Sequence, residues 1–132
     1  MLFRSGLEIA ALAGAVLGAA ANRMCAVIDG HPATAAALIA ALLSPVSVGY
    51  CVAGHRSAER GHRVALARLG MVPLLDLDMR LGEGTGALLA LELLDAAARL
   101  SAEMATFSSA GVSGPSDEPH HDSGTVSLPD AG

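Results

Sequence analysis

Met24-Cys25-Ala26-Val27-Ile28-Asp29-Gly30 is a short unbroken apolar run closed by a turn dipeptide. An apolar run without alternation is how a strand covered on both faces reads, and such strands belong to parallel sheets. Working outward, residues 7–22 form an Ala/Gly/Leu helix whose small side chains let a second backbone come close. Pro32 fits the first turn of a following helix over 33–43, and Ser44-Pro45 stops it. A second strand is expected over 50–53, then a polar loop over 54–61, then a helix over 62–69 closed by Gly70. This alternation predicts an α/β fold, a partial parallel-sheet (Rossmann-like) layer with flanking helices. Ligands of such sheets bind outside the carboxyl ends of the strands, where the Asp29 and Ser57 loops fall.

Residues 73–78 read as a short extended or irregular connection. Beyond a glycine-rich turn, Leu88, Leu91, Leu94 and Ala98 recur at helical intervals and predict a long C-terminal helix over 87–107. From Gly111 the chain is rich in Ser, Gly, Pro, Asp and His, and 113–132 is expected to be a disordered tail. Two strands leave sheet edges open and faces uncovered, so the rest of the sheet is expected to come from elsewhere. Met1–Ser5 reads as a non-native leader, because Leu2-Phe3-Arg4-Ser5 is what a common sequencing adapter encodes in one frame. The expected organisation is therefore leader 1–5, an incomplete domain over 6–112, and tail 113–132.

The composition narrows the function. Of 132 residues 52% are hydrophobic, yet there is no Trp, one Tyr and two Phe, which suits close helix packing better than base stacking. A net charge of -5 also argues against a nucleic-acid partner, which would require a basic face. Cys25 and Cys51 are too few and too far apart for a disulfide framework or zinc site. They are expected to be buried, inert thiols, in keeping with a reducing cytoplasm. The apolar stretch from Leu7 to Leu17, followed by Ala19-Ala20-Ala21, has the outline of a signal peptide, but Glu8 interrupts it. It is also too short to span a bilayer, so no membrane association is expected.

Gly82-Glu83-Gly84-Thr85-Gly86 carries the chemistry. Glycines on both sides permit unusual dihedrals and close approach of a ligand, while the free amides of the helix start favour negative charge. A carboxylate there is ionised in water and gains proton affinity when a ligand excludes water, as a general base requires. By spacing alone, a helix entry in which Glu83 offsets the dipole is the favoured reading. No Lys-Ser/Thr follows, so a Walker-type phosphate loop is excluded. Arg80 can pair with a carboxylate or phosphate, or simply be solvated. His55 and His62, seven residues apart with no third ligand of clear spacing, read as polar loop residues, and no metal is expected. Asp29-Gly30 is either a ribose or hydroxyl acceptor or a common turn.

Several ordered segments resemble one family. Gly6-Leu7-Glu8-Ile9-Ala10-Ala11-Leu12-Ala13-Gly14, Val27-Ile28-Asp29-Gly30 and His55-Arg56-Ser57-Ala58-Glu59-Arg60-Gly61-His62 are similar to nicotinate-nucleotide:dimethylbenzimidazole phosphoribosyltransferases of cobalamin biosynthesis. So are the segment from Pro73 through Met79-Arg80-Leu81-Gly82-Glu83-Gly84-Thr85-Gly86-Ala87, and Glu103-Met104-Ala105-Thr106-Phe107. The resemblance runs from Gly6 to about Val112 and corresponds to the last third of that enzyme.

It implies transfer of phosphoribose from nicotinate mononucleotide to 5,6-dimethylbenzimidazole, without metal or cofactor, giving α-ribazole 5′-phosphate and nicotinate. By position Glu83 is the base that takes the benzimidazole proton, and Leu81 lines the base pocket. Asp29, Gly30 and Ser57 help form the nucleotide pocket, and Gly82 and Arg80 count among the substrate-binding positions. The family forms homodimers. Two departures touch the nucleotide contacts: His31-Pro32 stands where an aromatic is expected, and Gly54 replaces the alanine of an Ala-Ala-His string. The family's upstream phosphate loop, its phosphate-binding lysine and the segments of its benzimidazole pocket have no counterpart in these 132 residues. The isolated chain is therefore expected to be inactive. The alternatives are a non-catalytic benzimidazole- or nucleotide-binding module, and an exported small helical protein.

Overall fold

The computed structural model describes residues 4–104 and Gly111. The expected tail over 113–132, the helix end over 105–107 and residues 1–3 of the expected leader lie outside the described residues. Helix α1 (Arg4–Ala21) leads into β1 (Ala26–Ile28), α2 (His31–Leu43), a 3-10 segment (Pro45–Tyr50), β2 (Cys51–Ala53) and β3 (His55–Ser57). There follow α3 (Arg60–Leu69), β4 (Leu75–Met79) and the long α4 (Thr85–Glu103).

Both strand pairs are parallel, as the apolar runs predict for β1 and β2. Ala26, Val27 and Ile28 of β1 face Cys51, Val52 and Ala53 of β2. In the second pair, His55 faces Leu75 and Ser57 faces Met79, with an irregularity between them. The two pairs join at Gly54, whose N–H donates to Ile28 C=O at 2.8 Å and whose C=O accepts from Leu75 N–H at 3.1 Å. Residues 51–57 thus run as one extended segment that changes neighbour at Gly54, with β1 beside its first half and β4 beside its second.

One expectation needs correction and another narrows. Residues 55–57 are not loop: His55 and Ser57 alternate inward while Arg56 turns outward to Asp76 at 3.1 Å, the period of a strand whose buried face is polar. The extended or irregular reading of 73–78 narrows to extended, because β4 pairs with β3 at Leu75 and Met79. Gly54 is also a point of close approach between sheet and helix. A Cβ there would stand 3.0 Å from Ala87 Cα, so the glycine lets the first turn of α4 lie on the strand.

The helix boundaries follow local chemistry. Pro32 lies in the first turn of α2, and Ser44 N–H closes its end on Ala40 C=O at 2.8 Å. Gly70 ends α3 in the left-handed conformation (φ +67°), its N–H reaching Ala67 and Leu66 carbonyls. Val16, Ile28, Ala37 and Ala40 form the core, with Leu17, Cys51 and Leu69 packed against it. The fully buried alanines are what allow α1 and α2 to sit close together.

The core is small, and large apolar side chains remain outside it. On α4, Leu88 and Leu100 are more than half exposed, as is Leu77 of β4. The thiols also differ from expectation: Cys25 is exposed and Cys51 only half-buried. Burial pushes the Cys51 thiol up, and nearby Cys25 adds to the effect. Among the described residues no helix is long and apolar enough to cross a membrane.

Candidate active site

The glycine segment folds as a left-handed turn between β4 and α4. Gly82 (φ 82°), Glu83 (φ 56°) and Gly84 (φ 80°) all have positive φ. Glycine takes this conformation freely, whereas it costs a glutamate about 1 kcal/mol. The turn is locked by Thr85, whose hydroxyl and N–H both donate to Gly82 C=O, at 2.6 Å and 3.1 Å. Glu83 is exposed just before the amino end of α4.

A second carboxylate holds this turn from across the sheet. Asp29, just past the end of β1, accepts Gly84 N–H on Oδ2 at 3.2 Å and Ala87 N–H on Oδ1 at 3.0 Å. An N-terminal cap normally comes from the residue before the helix. Gly84 has no side chain for it, and Asp29, more than fifty residues earlier, satisfies two of the free amides instead.

Beneath Asp29 lie two buried histidines, which corrects their reading as polar loop residues. His55 is 4% exposed and His62 fully buried. His62 Nδ1 accepts Ser57 N–H at 3.0 Å, so in the neutral ring the proton sits on Nε2, which is buried without a partner among the described residues. Burial pushes His62 below the usual histidine range, and His55 and His31 push the same way against the weaker pull of Glu59 and Asp29. His62 is accordingly neutral at pH 7. Ser57 Oγ accepts Glu59 N–H at 3.1 Å. His55 Nδ1 stands 3.5 Å from Asp29 Oδ1, and its ring lies directly against Gly86. A Cβ on Gly86 would fall 1.9 Å from that nitrogen, so position 86 has no room for a side chain.

These groups surround a cavity of about 460 Å³ at the carboxyl ends of β1 and β3. Asp29, Gly30, His55, Ser57, Arg80, Gly82 and Glu83 line it together with His31, Glu59 and Ala87. His31 and Glu59, at the amino ends of α2 and α3, meet across it at 3.4 Å. Among the described residues no three His, Cys, Asp or Glu side chains are placed to hold a metal ion.

A family model described as phosphoribosyltransferase matches residues 3–112. The chain belongs to that family. It is 63% identical over 108 residues to the nicotinate-nucleotide–dimethylbenzimidazole phosphoribosyltransferase of Chloroflexus aggregans, and 61% identical to that of Syntrophotalea carbinolica. Each alignment takes in 82% of this chain and 31% of the relative. The crystal structure of the enzyme of the same name from Thermus thermophilus superposes with a TM-score of 0.75 at 52% identity, covering 81% of this chain and 32% of that one. The chain thus spans about a third of the length of the phosphoribosyltransferases it matches.

Of the positions singled out in the sequence, the structure gathers Glu83, Gly82, Arg80, Asp29, Gly30 and Ser57 around one cavity. It leaves Leu81 out of the lining and 76% exposed. Both Asp29 oxygens already carry main-chain donors, so this side chain organises the phosphoribosyltransferase turn whatever else it meets. Sequence reasoning missed His55, His31, Glu59 and Ala87. The period-2 placement of His55 and Ser57 was the available signal for the first. His31 and Glu59 are recognisable only once each is known to open a helix after a parallel strand.

Proposed function

We propose that the chain is part of an enzyme that transfers the phosphoribosyl group of nicotinate mononucleotide to 5,6-dimethylbenzimidazole, with Glu83 as general base. The observation that carries this reading is the placement of Glu83 in a locked left-handed turn at the rim of the strand-end cavity. Membership of the phosphoribosyltransferase family and the names of its relatives supply the substrates.

In this reaction a benzimidazole nitrogen bonds to C1′ of the ribose while the C1′–N bond to nicotinate breaks, and nicotinate leaves with the electron pair. The incoming ring becomes cationic as it bonds. Glu83 takes the proton from its other nitrogen, which keeps the attacking nitrogen nucleophilic and leaves a neutral product base. A carboxylate at the rim also stabilises the positive charge that develops on the ribose. Arg80 is suited to the nucleotide phosphate or the nicotinate carboxylate. Gly82 and Gly30 offer main chain without steric bulk, and Leu81, next to both Arg80 and Gly82, is proposed as one wall of the base pocket.

The isolated chain is proposed to have little or no activity, since it spans 31% of its relatives and leaves apolar faces of α4 and β4 exposed. The complete enzyme is proposed to be a cytoplasmic homodimer. The test is liquid chromatography of α-ribazole 5′-phosphate formed by the chain alone and after addition of the remaining two-thirds of a relative as a separate polypeptide. Product is expected only in the second case, and Glu83→Gln in that assembly should lower kcat about 100-fold or more. An unchanged kcat for Glu83→Gln would remove Glu83 from the chemistry. A non-catalytic benzimidazole- or nucleotide-binding module is the second reading, favoured by the one-third span. Calorimetric binding of dimethylbenzimidazole by the chain, with no turnover in the complemented assembly, would select it.

A further inference from the structure

We infer that His55 is a positioning residue for Glu83, acting through Asp29 on the turn that carries the base. This rests on the proposed role of Glu83, but the structural link stands by itself. The His55 side chain is 5% exposed, lines the cavity, and places Nδ1 3.5 Å from Asp29 Oδ1. Among the described residues that nitrogen has no hydrogen-bond partner. A buried ring nitrogen without a partner is costly, and Asp29 Oδ1 is the acceptor that faces it.

With its proton on Nδ1 the ring would offer a donor to Asp29 Oδ1, the carboxylate oxygen that already accepts Ala87 N–H. Asp29 in turn holds Gly84 N–H, the amide that follows Glu83. Gly86 closes the assembly from the other side, because the absence of a Cβ is what lets the ring reach this place. His55 therefore fixes the position of Asp29, and Asp29 fixes the direction from which Glu83 enters the cavity. The 3.5 Å separation is slightly long for a hydrogen bond. In the substrate-free chain it is a polar contact that, with the packing of the ring, restrains the Asp29 carboxylate.

Amide hydrogen exchange on the ¹⁵N-labelled full chain tests this without substrate, so failure of the transferase reading would leave the result intact. His55→Leu keeps roughly the volume of the ring without a donor, whereas His55→Asn keeps an N–H near the Nδ1 position. Gly84 and Ala87 amides should exchange about tenfold faster in His55→Leu, as for loss of a hydrogen bond to a charged group, and return to within about threefold of the parent in His55→Asn. Ser44 and Met71 amides, bonded to Ala40 and Leu66 carbonyls far from the turn, should not change. The proposal is overturned if Gly84 and Ala87 are unaffected in His55→Leu. It is equally overturned if both variants speed these two amides alike, or if all four amides accelerate together, since either result reduces His55 to packing.

Discussion

Asp29 and Glu83 are carboxylates on the same cavity under opposite constraints. Asp29 sits at a strand end with its side chain 18% exposed and both oxygens engaged by main-chain amides. Glu83 is exposed, in a backbone conformation that its own residue type disfavours. One carboxylate is spent on structure so that the other can be presented at the rim, its oxygens without a hydrogen-bond partner among the described residues. A residue meant to take a proton is better left without strong donors, because hydrogen bonds to the ionised form reduce its proton affinity.

The most direct way to break this contrast is Asp29→Asn. The amide side chain can accept only one of the two N–H groups, and its own NH₂ then faces the other. Loss of a charge-assisted bond with a donor left unmatched is expected to destabilise the chain by about 2–3 kcal/mol in urea unfolding. A change below about 0.5 kcal/mol would show that the turn holds itself. The next effect should come from Gly86→Ala. Alanine in a helix normally gains about 1 kcal/mol over glycine, but here its Cβ would overlap the His55 ring, and overpacking of this kind costs about 1–3 kcal/mol. A net loss of up to about 2 kcal/mol is expected. Gly14→Ala on α1, where the new Cβ meets nothing within 4 Å, should instead stabilise by up to about 1 kcal/mol. The same substitution with opposite signs at the two sites would locate the constraint in the His55 contact.

Acid probes the anchored side as well. His62 is held below the usual histidine range by burial and by His55. In the unfolded chain it takes up a proton near the ordinary value of about 6.5. Below that value the unfolded state binds more protons than the folded one, so stability is full above it and falls as the pH drops further. The slope should approach at most about 1.4 kcal/mol per pH unit. Urea unfolding between pH 7.5 and 5 should show this decline, and His62→Gln should flatten it. A parent profile that is flat across that interval would mean that His62 accepts a proton inside the fold.

The division between the carboxylates also explains what the sequence could reveal. Strands β1 and β2 are legible because Met24 to Ile28 and Cys51 to Ala53 are apolar runs, and Gly70 marks a helix end by the one residue type that adopts its φ cheaply. Strand β3 is not, because its inward positions are His55 and Ser57, whose burial depends on partners elsewhere in the chain. Strand β4 is obscured differently: Leu77 is exposed, and Asp78 has a positive φ. The Gly-Glu-Gly spacing announces a special turn. That Asp29 holds it has no local signature, since more than fifty residues separate donor and acceptor.

The smallest expected effect sharpens the contrast most. Glu83→Gly relieves a left-handed residue of its Cβ, which favours the folded state by about 1 kcal/mol, while the greater freedom of glycine in the unfolded chain takes back part of that gain. The net expectation is a stabilisation of about 0.5 kcal/mol in urea unfolding, with Asp29 still bonded to Gly84 and Ala87. In the complemented assembly the same variant should lose at least as much activity as Glu83→Gln, since it keeps neither carboxylate nor amide. A substitution that improves the fold while removing the reaction is the mark of a residue retained for chemistry. If Glu83→Gly instead destabilised the chain by 1 kcal/mol or more, the glutamate would be making contacts that hold the turn, and its likeness to Asp29 would matter more than the difference.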